Sequence, residues 1–201
     1  MRLPFLDRKS ESKRIRRALK AGGGALVVVY GRRRCGKSRL LQQVARREDV
    51  YYLADQSEAP LQRDAFAAAV ERVMPGFAGV RYPTWESMFS QIEQRTRGKV
   101  NVFLDEFPYV VKESSELPSA IQRHLDLPGP KRMNLVLSGS SQRMMHGLVL
   151  DGSAPLYGRA AEILKIEPMQ PGWIQEALGL AADKAVEASG ICGGVPRQWD
   201  A

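Results

Sequence analysis

The chain has 201 residues, 44% apolar and 26% charged, which is enough apolar material for one packed domain and too much for a disordered polymer. No run of 18 apolar residues occurs, the opening Met-Arg-Leu-Pro-Phe-Leu-Asp-Arg has no apolar signal core, and Cys35 and Cys192 are too few for a disulfide framework. The expectation is therefore no membrane span, no secretory leader and a reducing cytoplasm, and the two histidines, His124 and His146, with no paired cysteines, speak against a zinc site.

The net charge of +8 is uneven. Residues 1–47 carry 15 Lys/Arg against Asp7 and Glu11, a net +13, while the remainder carries 15 against 20 acids, a net −5. A short helix is predicted to start near Asp7 or Ser10, both good caps, and to stop at Gly22-Gly23-Gly24, where glycine admits a left-handed turn. Its stripe is Ile15, Ala18 and Leu19. Its cations, Lys13, Arg14, Arg16, Arg17 and Lys20, are either a solvated helix face or a surface for an acidic partner such as nucleic acid.

Ala25–Tyr30 is an apolar, largely β-branched run, as a fully buried parallel strand should be. Gly31–Ser38 then reads G-R-R-R-C-G-K-S and fits the phosphate-binding pattern G-x-x-x-x-G-K-[ST] at every position. Ser38–Arg47 follows with Leu40, Leu41 and Val44 at helical spacing. Strand, glycine loop and helix are what the chemistry requires. Glycines allow the tight turn, and successive N–H groups become an anion nest at the positive end of the helix. The candidate nucleotide-binding residues are Gly31, Arg32, Arg33, Arg34, Cys35, Gly36, Lys37 and Ser38, with Arg39 just beyond. Lys37 is the charge for the β- and γ-phosphates, and the Ser38 hydroxyl is a Mg²⁺ ligand. Cys35, beside Lys37 at a helix N-terminus, is expected to have thiolate character.

Val50–Leu53 is the second predicted strand and Pro60–Met74 a helix. Thr84 caps a further helix striped with Trp85, Met88, Phe89 and Ile92, a stripe read as core rather than ligand box. Lys99–Glu106 is an apolar strand ending in two acids. Asp105 would hold Mg²⁺ through its water shell, and Glu106 would orient an attacking water. Ser114–Leu125 is predicted helical, Asn134–Ser138 a strand running into Gly139-Ser140-Ser141, and 142–149 a helix. Asp151–Gly158 is a turn-rich loop, Ala161–Ile166 a fifth strand, and Gly172–Leu180 and Ala182–Ser189 two short helices. Strands alternating with helices imply a parallel sheet in a three-layer α/β domain. Arg159, between the turn-rich loop and the fifth strand, is expected near the C-terminal end of the sheet, acting on a phosphate of its own site or of a neighbouring subunit in a homo-oligomer.

Taken together, Phe5–Arg8, Gly31–Ser38, Val102–Tyr109, Leu135–Ser141, Pro155–Arg159 and Gly193–Arg197 resemble the archaeal-type ATPases of the STAND group, within the AAA-like P-loop superfamily. The resemblance spans the chain in order. It implies a three-layer P-loop NTPase core over residues 1–167 with a five-stranded parallel sheet in the order 5-1-4-3-2, and the start of a helical lid over 168–201. It also implies ATP as substrate, Arg8 near the adenine, Ser140 or Ser141 at the γ-phosphate, and catalytic roles for Lys37, Glu106 and Arg159. The expected function is Mg²⁺-dependent ATP hydrolysis in a regulatory or nucleic-acid-linked protein. The alternatives are a small-molecule or nucleotide kinase, against which the acid pair argues, and a nucleotide-dependent switch with negligible turnover. Members of the family usually continue into a winged helix and a further domain.

Overall fold

The apolar runs become strands because each can bury both of its faces. In the computed structural model, which describes residues 8–192, β1 (Leu26–Tyr30), β2 (Val50–Leu53), β3 (Val100–Asp105), β4 (Met133–Gly139) and β5 (Ala160–Lys165) form one sheet. Its order is β2-β3-β4-β1-β5 with every adjacent pair parallel, the order implied by the family resemblance, read from the other edge.

Side chains alternate between two cores, as period-2 geometry demands. Val27, Val29, Phe103 and Val136 face one core, which α1 (Lys9–Lys20) and α2 (Lys37–Val44) close with Ile15, Leu19, Leu40, Leu41 and Val44. Leu26, Val28, Val102, Leu104, Leu135 and Leu137 face the other. That side is closed by α3 (Ala59–Glu71), α4 (Trp85–Arg95), α5 (Phe107–Glu113) and α6 (Leu117–Asp126), through Phe66, Trp85, Phe89, Val110 and Ile121. Trp85, Met88, Phe89 and Ile92 are core, as read from their spacing. Thr84 and Ser87 form a reciprocal capping box at the start of α4. Beyond β4 come the short α7 (Gln142–Met145) and a π-helical turn, His146–Leu150; beyond β5, α8 (Pro171–Leu178) packs on α9 (Ala182–Cys192).

Three details differ from expectation. The predicted 114–125 helix is α6, but an unpredicted helix, α5, precedes it directly after the acid pair; Pro108 is tolerated in its first turn, and burial of Phe107 and Val110 overrides their weak helix preference. The predicted 142–149 helix is wound as α only over its first four residues. Helix α1 is preceded by Arg8 in a left-handed conformation with no side-chain cap, and Ser10 lies inside the helix.

The amino-terminal edge of the sheet carries a buried polar ladder. Asn134, fully buried, accepts from the Ala25 N–H at 2.9 Å and donates to Leu19 O at 3.2 Å and to Asn101 Oδ1 at 2.9 Å. Asn101 in turn donates to Asp49 Oδ1 at 2.8 Å. The ladder ties β1, β3, β4, the end of α1 and the residue before β2 into one register. Replacing Asn134 by Ala strands groups that cannot reach water, so Asn134→Ala is expected to lose about 1–3 kcal/mol of stability, read from chemical denaturation.

Candidate active site

The carboxyl ends of all five parallel strands lie at one edge of the sheet, and the loop that leaves β1 there is the phosphate-binding loop. Gly31 opens it at φ 152°. A Cβ there would sit 2.3 Å from Ile166 O, so the loop starts pressed against the chain leaving β5, and only glycine fits. Gly36, at φ 87°, turns the chain into α2 and leaves the first amides of that helix at the loop's concave side. Arg34 adopts φ 67° without being glycine, which costs on the order of 1–2 kcal/mol. Lys37 is buried in the curl and its ammonium donates to Gly31 O at 3.0 Å and Arg32 O at 2.9 Å. Burial lowers its pKa, while the nearby charges of Glu106 and Asp105 pull it back up.

The acid pair meets this loop because β3 lies beside β4 and β4 beside β1. Leu104 pairs with Leu137, which puts Asp105 next to Ser138 and Glu106 next to the residues following β4. Asp105 is wholly buried. Its carboxylate accepts from the Ser138 hydroxyl, from the Tyr51 hydroxyl at 2.7 Å and from the Glu106 N–H at 3.1 Å. Glu106 turns the chain with φ 56°, and its carboxylate accepts from Ser140 Oγ at 2.9 Å and Ser140 N at 3.3 Å. Ser141 instead caps α7. Of the two serines, Ser140 alone is thereby joined to the acid pair.

Tyr51 carries no motif signal, and Ser138, though inside the Leu135–Ser141 segment, was not among the expected site residues. Tyr51 is half-buried, stacks on Phe103 at 5.9 Å, and its hydroxyl also lies 3.4 Å from Ser38 O. Ser38 and Asp105 are thus brought to one place. Burial and the Asp105 charge raise the Tyr51 pKa, so the hydroxyl is a proton donor. Tyr109 on α5 is a second unanticipated neighbour; its hydroxyl accepts from Arg33 at 2.7 Å. Arg32, Arg33, Arg34 and Arg39 are exposed around the loop. Arg8 is buried at the start of α1, its guanidinium on Glu11 Oε1 at 2.9 Å and on Glu167 O, and its charge reaches Cys35.

Two expectations are corrected. Cys35 is fully buried among Ile15, Leu40 and Ile166, and burial raises its thiol pKa despite the opposing Lys37, so it is a packed thiol whose share in the loop is its backbone. Arg159 does not lie at the carboxyl edge. Ala160 pairs with Leu26, the first residue of β1, so Arg159 stands at the amino edge, about one strand length or roughly 20 Å from the loop. Its Nε and Nη2 donate to the two carboxylate oxygens of Asp126, at 2.9 and 2.7 Å, and its Nη1 donates to Pro155 O and Tyr157 O. It locks the 151–158 loop to α6. The Gly193–Arg197 segment and Phe5–Asp7 lie outside the described residues.

A central strand, a Gly-x-x-x-x-Gly-Lys-Ser loop opening a helix, and an acid pair on a strand one removed define a P-loop NTPase site. Residues 5–188 match the ATPase domain family found predominantly in Archaea, and the chain belongs to that family. A protein of Methanocaldococcus jannaschii described as uncharacterized is 32% identical over 195 residues, covering 96% of this chain; the chain spans 42% of that relative's length. Among solved structures, a Walker-type ATPase of Pyrococcus abyssi superposes with a TM-score of 0.70 at 20% identity, over 96% of this chain and 65% of its own. The Aeropyrum pernix ORC1 protein, solved in complex with DNA, gives 0.64 at 19% identity over 92% of this chain and 50% of its own. A STAND protein of Pyrococcus horikoshii with a tetratricopeptide repeat sensor gives 0.62 at 16% identity over 99% of this chain and 29% of its own. At these identities the superpositions speak to the fold.

The burial of Cys35 makes a chemical expectation. In a Cys192→Ser variant, reaction of Cys35 with an aromatic disulfide reagent, followed by absorbance, should run at least about tenfold slower than that of free glutathione at the same pH, because inert buried thiols react only on local opening.

Proposed function

We propose that the chain is the Mg²⁺-dependent ATP-hydrolysing module of a larger regulatory or nucleic-acid-linked protein. The observation that carries the reading is the junction of loop and acid pair: Lys37 inside the curl feels both carboxylates, and the Tyr51 hydroxyl donates to Asp105 and lies 3.4 Å from the Ser38 backbone carbonyl oxygen. The donor set there, a serine hydroxyl and a carboxylate, is all oxygen and suits a hard cation. Ser38 and Asp105 would hold the Mg²⁺, directly or through water, and the bound ion would neutralise phosphate charge. The amides of residues 31–38 and the Lys37 ammonium hold the phosphates. Glu106, steadied by Ser140, presents a carboxylate oxygen that orients water for in-line attack and accepts its proton. Catalysis of this kind is mostly positioning and charge stabilisation.

The wider role rests on other features. The chain spans less than half of the relative it matches, which supports a module coupled to further domains, with residues 168–201 as the beginning of a helical lid and 1–167 as the core. Lys9, Lys13, Arg17 and Lys20 stand exposed along α1, one helical turn apart, while its apolar residues Ile15 and Leu19 are buried against the sheet. Such a face offers cations without apolar side chains to insert into a membrane, and suits a phosphate backbone, with the A. pernix protein's DNA complex as the supporting parallel. Among the described residues no helix is long and apolar enough to cross a membrane.

Phosphate release from MgATP tests the chemistry. Glu106→Gln should retain nucleotide binding and lose about 10²–10⁴ in turnover. Lys37→Ala should weaken binding itself, by about 1.5–3 kcal/mol, because it contacts ground-state phosphates. Wild-type turnover in Glu106→Gln would reject that residue as the base. The basic face predicts sequence-independent binding to duplex DNA that falls about 10²-fold between 50 and 200 mM salt if four phosphates are contacted. Anisotropy titrations of wild type and a Lys9→Glu/Lys13→Glu variant measure it, and equal affinity of the two would remove α1 from the interface.

A further inference from the structure

Beyond the motif residues, one side chain joins the two halves of the site. Tyr51 lies on β2, the edge strand, and pairs in register with Phe103. Its ring runs along Phe103 and carries its hydroxyl past that residue to Asp105 Oδ2, two positions further along β3 or about 7 Å of strand. The other carboxylate oxygen, Oδ1, is held from the opposite side by Ser138 on β4 and by the Glu106 N–H. The carboxylate is therefore gripped from both neighbouring strands, and its plane is set by the two hydroxyls together.

The same tyrosine oxygen reaches helix α2. It lies 3.4 Å from the Ser38 backbone carbonyl oxygen. One hydroxyl thus spans the first turn of the helix that opens with Lys37 and Ser38, and the carboxylate at the end of β3. Phenylalanine would supply the same packing against Phe103; what tyrosine adds is this link. The neighbouring Tyr52 shows the contrast, since alternation turns it to the other face, edge-on to Phe66 in the larger core.

We propose that Tyr51 is a positioning residue of the nucleotide site: its hydroxyl sets the Asp105 carboxylate and the Ser38 turn in the arrangement that a Mg²⁺–nucleotide complex requires. This rests on the ATPase reading above. Side chains that orient a metal's ligands cost about 10–100-fold in metal affinity when removed. The predicted consequence is selective. Tyr51 acts on the metal-dependent part of nucleotide binding and leaves the loop's own grip on phosphate untouched.

The experiment is calorimetric titration of ATP into wild type, Tyr51→Phe and Asp105→Asn, each with Mg²⁺ and with EDTA, together with thermal melting of the three proteins without nucleotide. For Tyr51→Phe the expected result is an affinity loss of about 10-fold or more with Mg²⁺ and no change in EDTA, with a melting temperature a few degrees below wild type because the buried carboxylate loses one donor. Asp105→Asn should show the same selective loss. An equal loss with and without Mg²⁺ would assign Tyr51 a structural role and overturn the inference. Wild-type affinity of Tyr51→Phe in Mg²⁺ would also overturn it if Asp105→Asn is impaired, with the ATPase reading left standing. An Asp105→Asn protein that binds MgATP like wild type would overturn the metal role of Asp105 and the Tyr51 inference with it.

Discussion

A wholly buried carboxylate ends the interior strand β3, and much of the surrounding architecture can be understood as what such a group demands. An isolated charge in a low-dielectric interior is prohibitively costly, and hydrogen bonds to a charge return about 1.5–3 kcal/mol each, so several donors must converge on it. Asp105 obtains them from three directions: a tyrosine on β2, a serine on β4 and the backbone of the next residue. That supply exists only if β3 lies between β2 and β4. The strand order therefore does more than bury apolar surface. It surrounds a buried negative charge with neutral donors while leaving Lys37, on the loop of β1 one strand further on, close enough for its charge to be felt.

The sheet is polar at both ends for different reasons. At its amino edge, Asp49, Asn101 and Asn134 form a satisfied chain of side-chain amides and a carboxylate, and the fork of Arg159 clasps Asp126 nearby. Every partner there is within the protein, and the result is register and loop anchoring. At the carboxyl edge the polar groups are held but not exhausted. Left-handed turns at Arg34, Gly36 and Glu106 direct backbone and side chains outward from the sheet, where open α/β sheets bind their ligands. The strained Arg34 belongs to this second end, consistent with strain gathering where a loop must hold a functional shape.

Much of this was legible in the chain itself. The phosphate loop could be read because its chemistry is local: two glycines, a lysine and a serine at fixed spacing need only a strand before and a helix after. The acid pair was legible for the same reason, and the alternation of apolar runs with amphipathic stretches announced the layers. What the sequence alone misjudged were environments. Cys35 has a lysine two residues on and a helix beginning beside it, which argue for a thiolate, but its side chain points into the core and desolvation outweighs both. The segment 107–113 is assigned no element from its spacing and is helical because Phe107 and Val110 are buried against the sheet.

Local spacing thus determined the class of fold and singled out Lys37, Ser38, Asp105 and Glu106, which the fold brings to one edge of the sheet. Only the tertiary structure decided that Tyr51 and Ser138 belong with them and that Arg159 does not. The reason is register. In a parallel sheet the residues that meet at one edge come from strands far apart in sequence, and a side chain's end of its strand, carboxyl or amino, decides whether it stands beside the loop or a full strand length away.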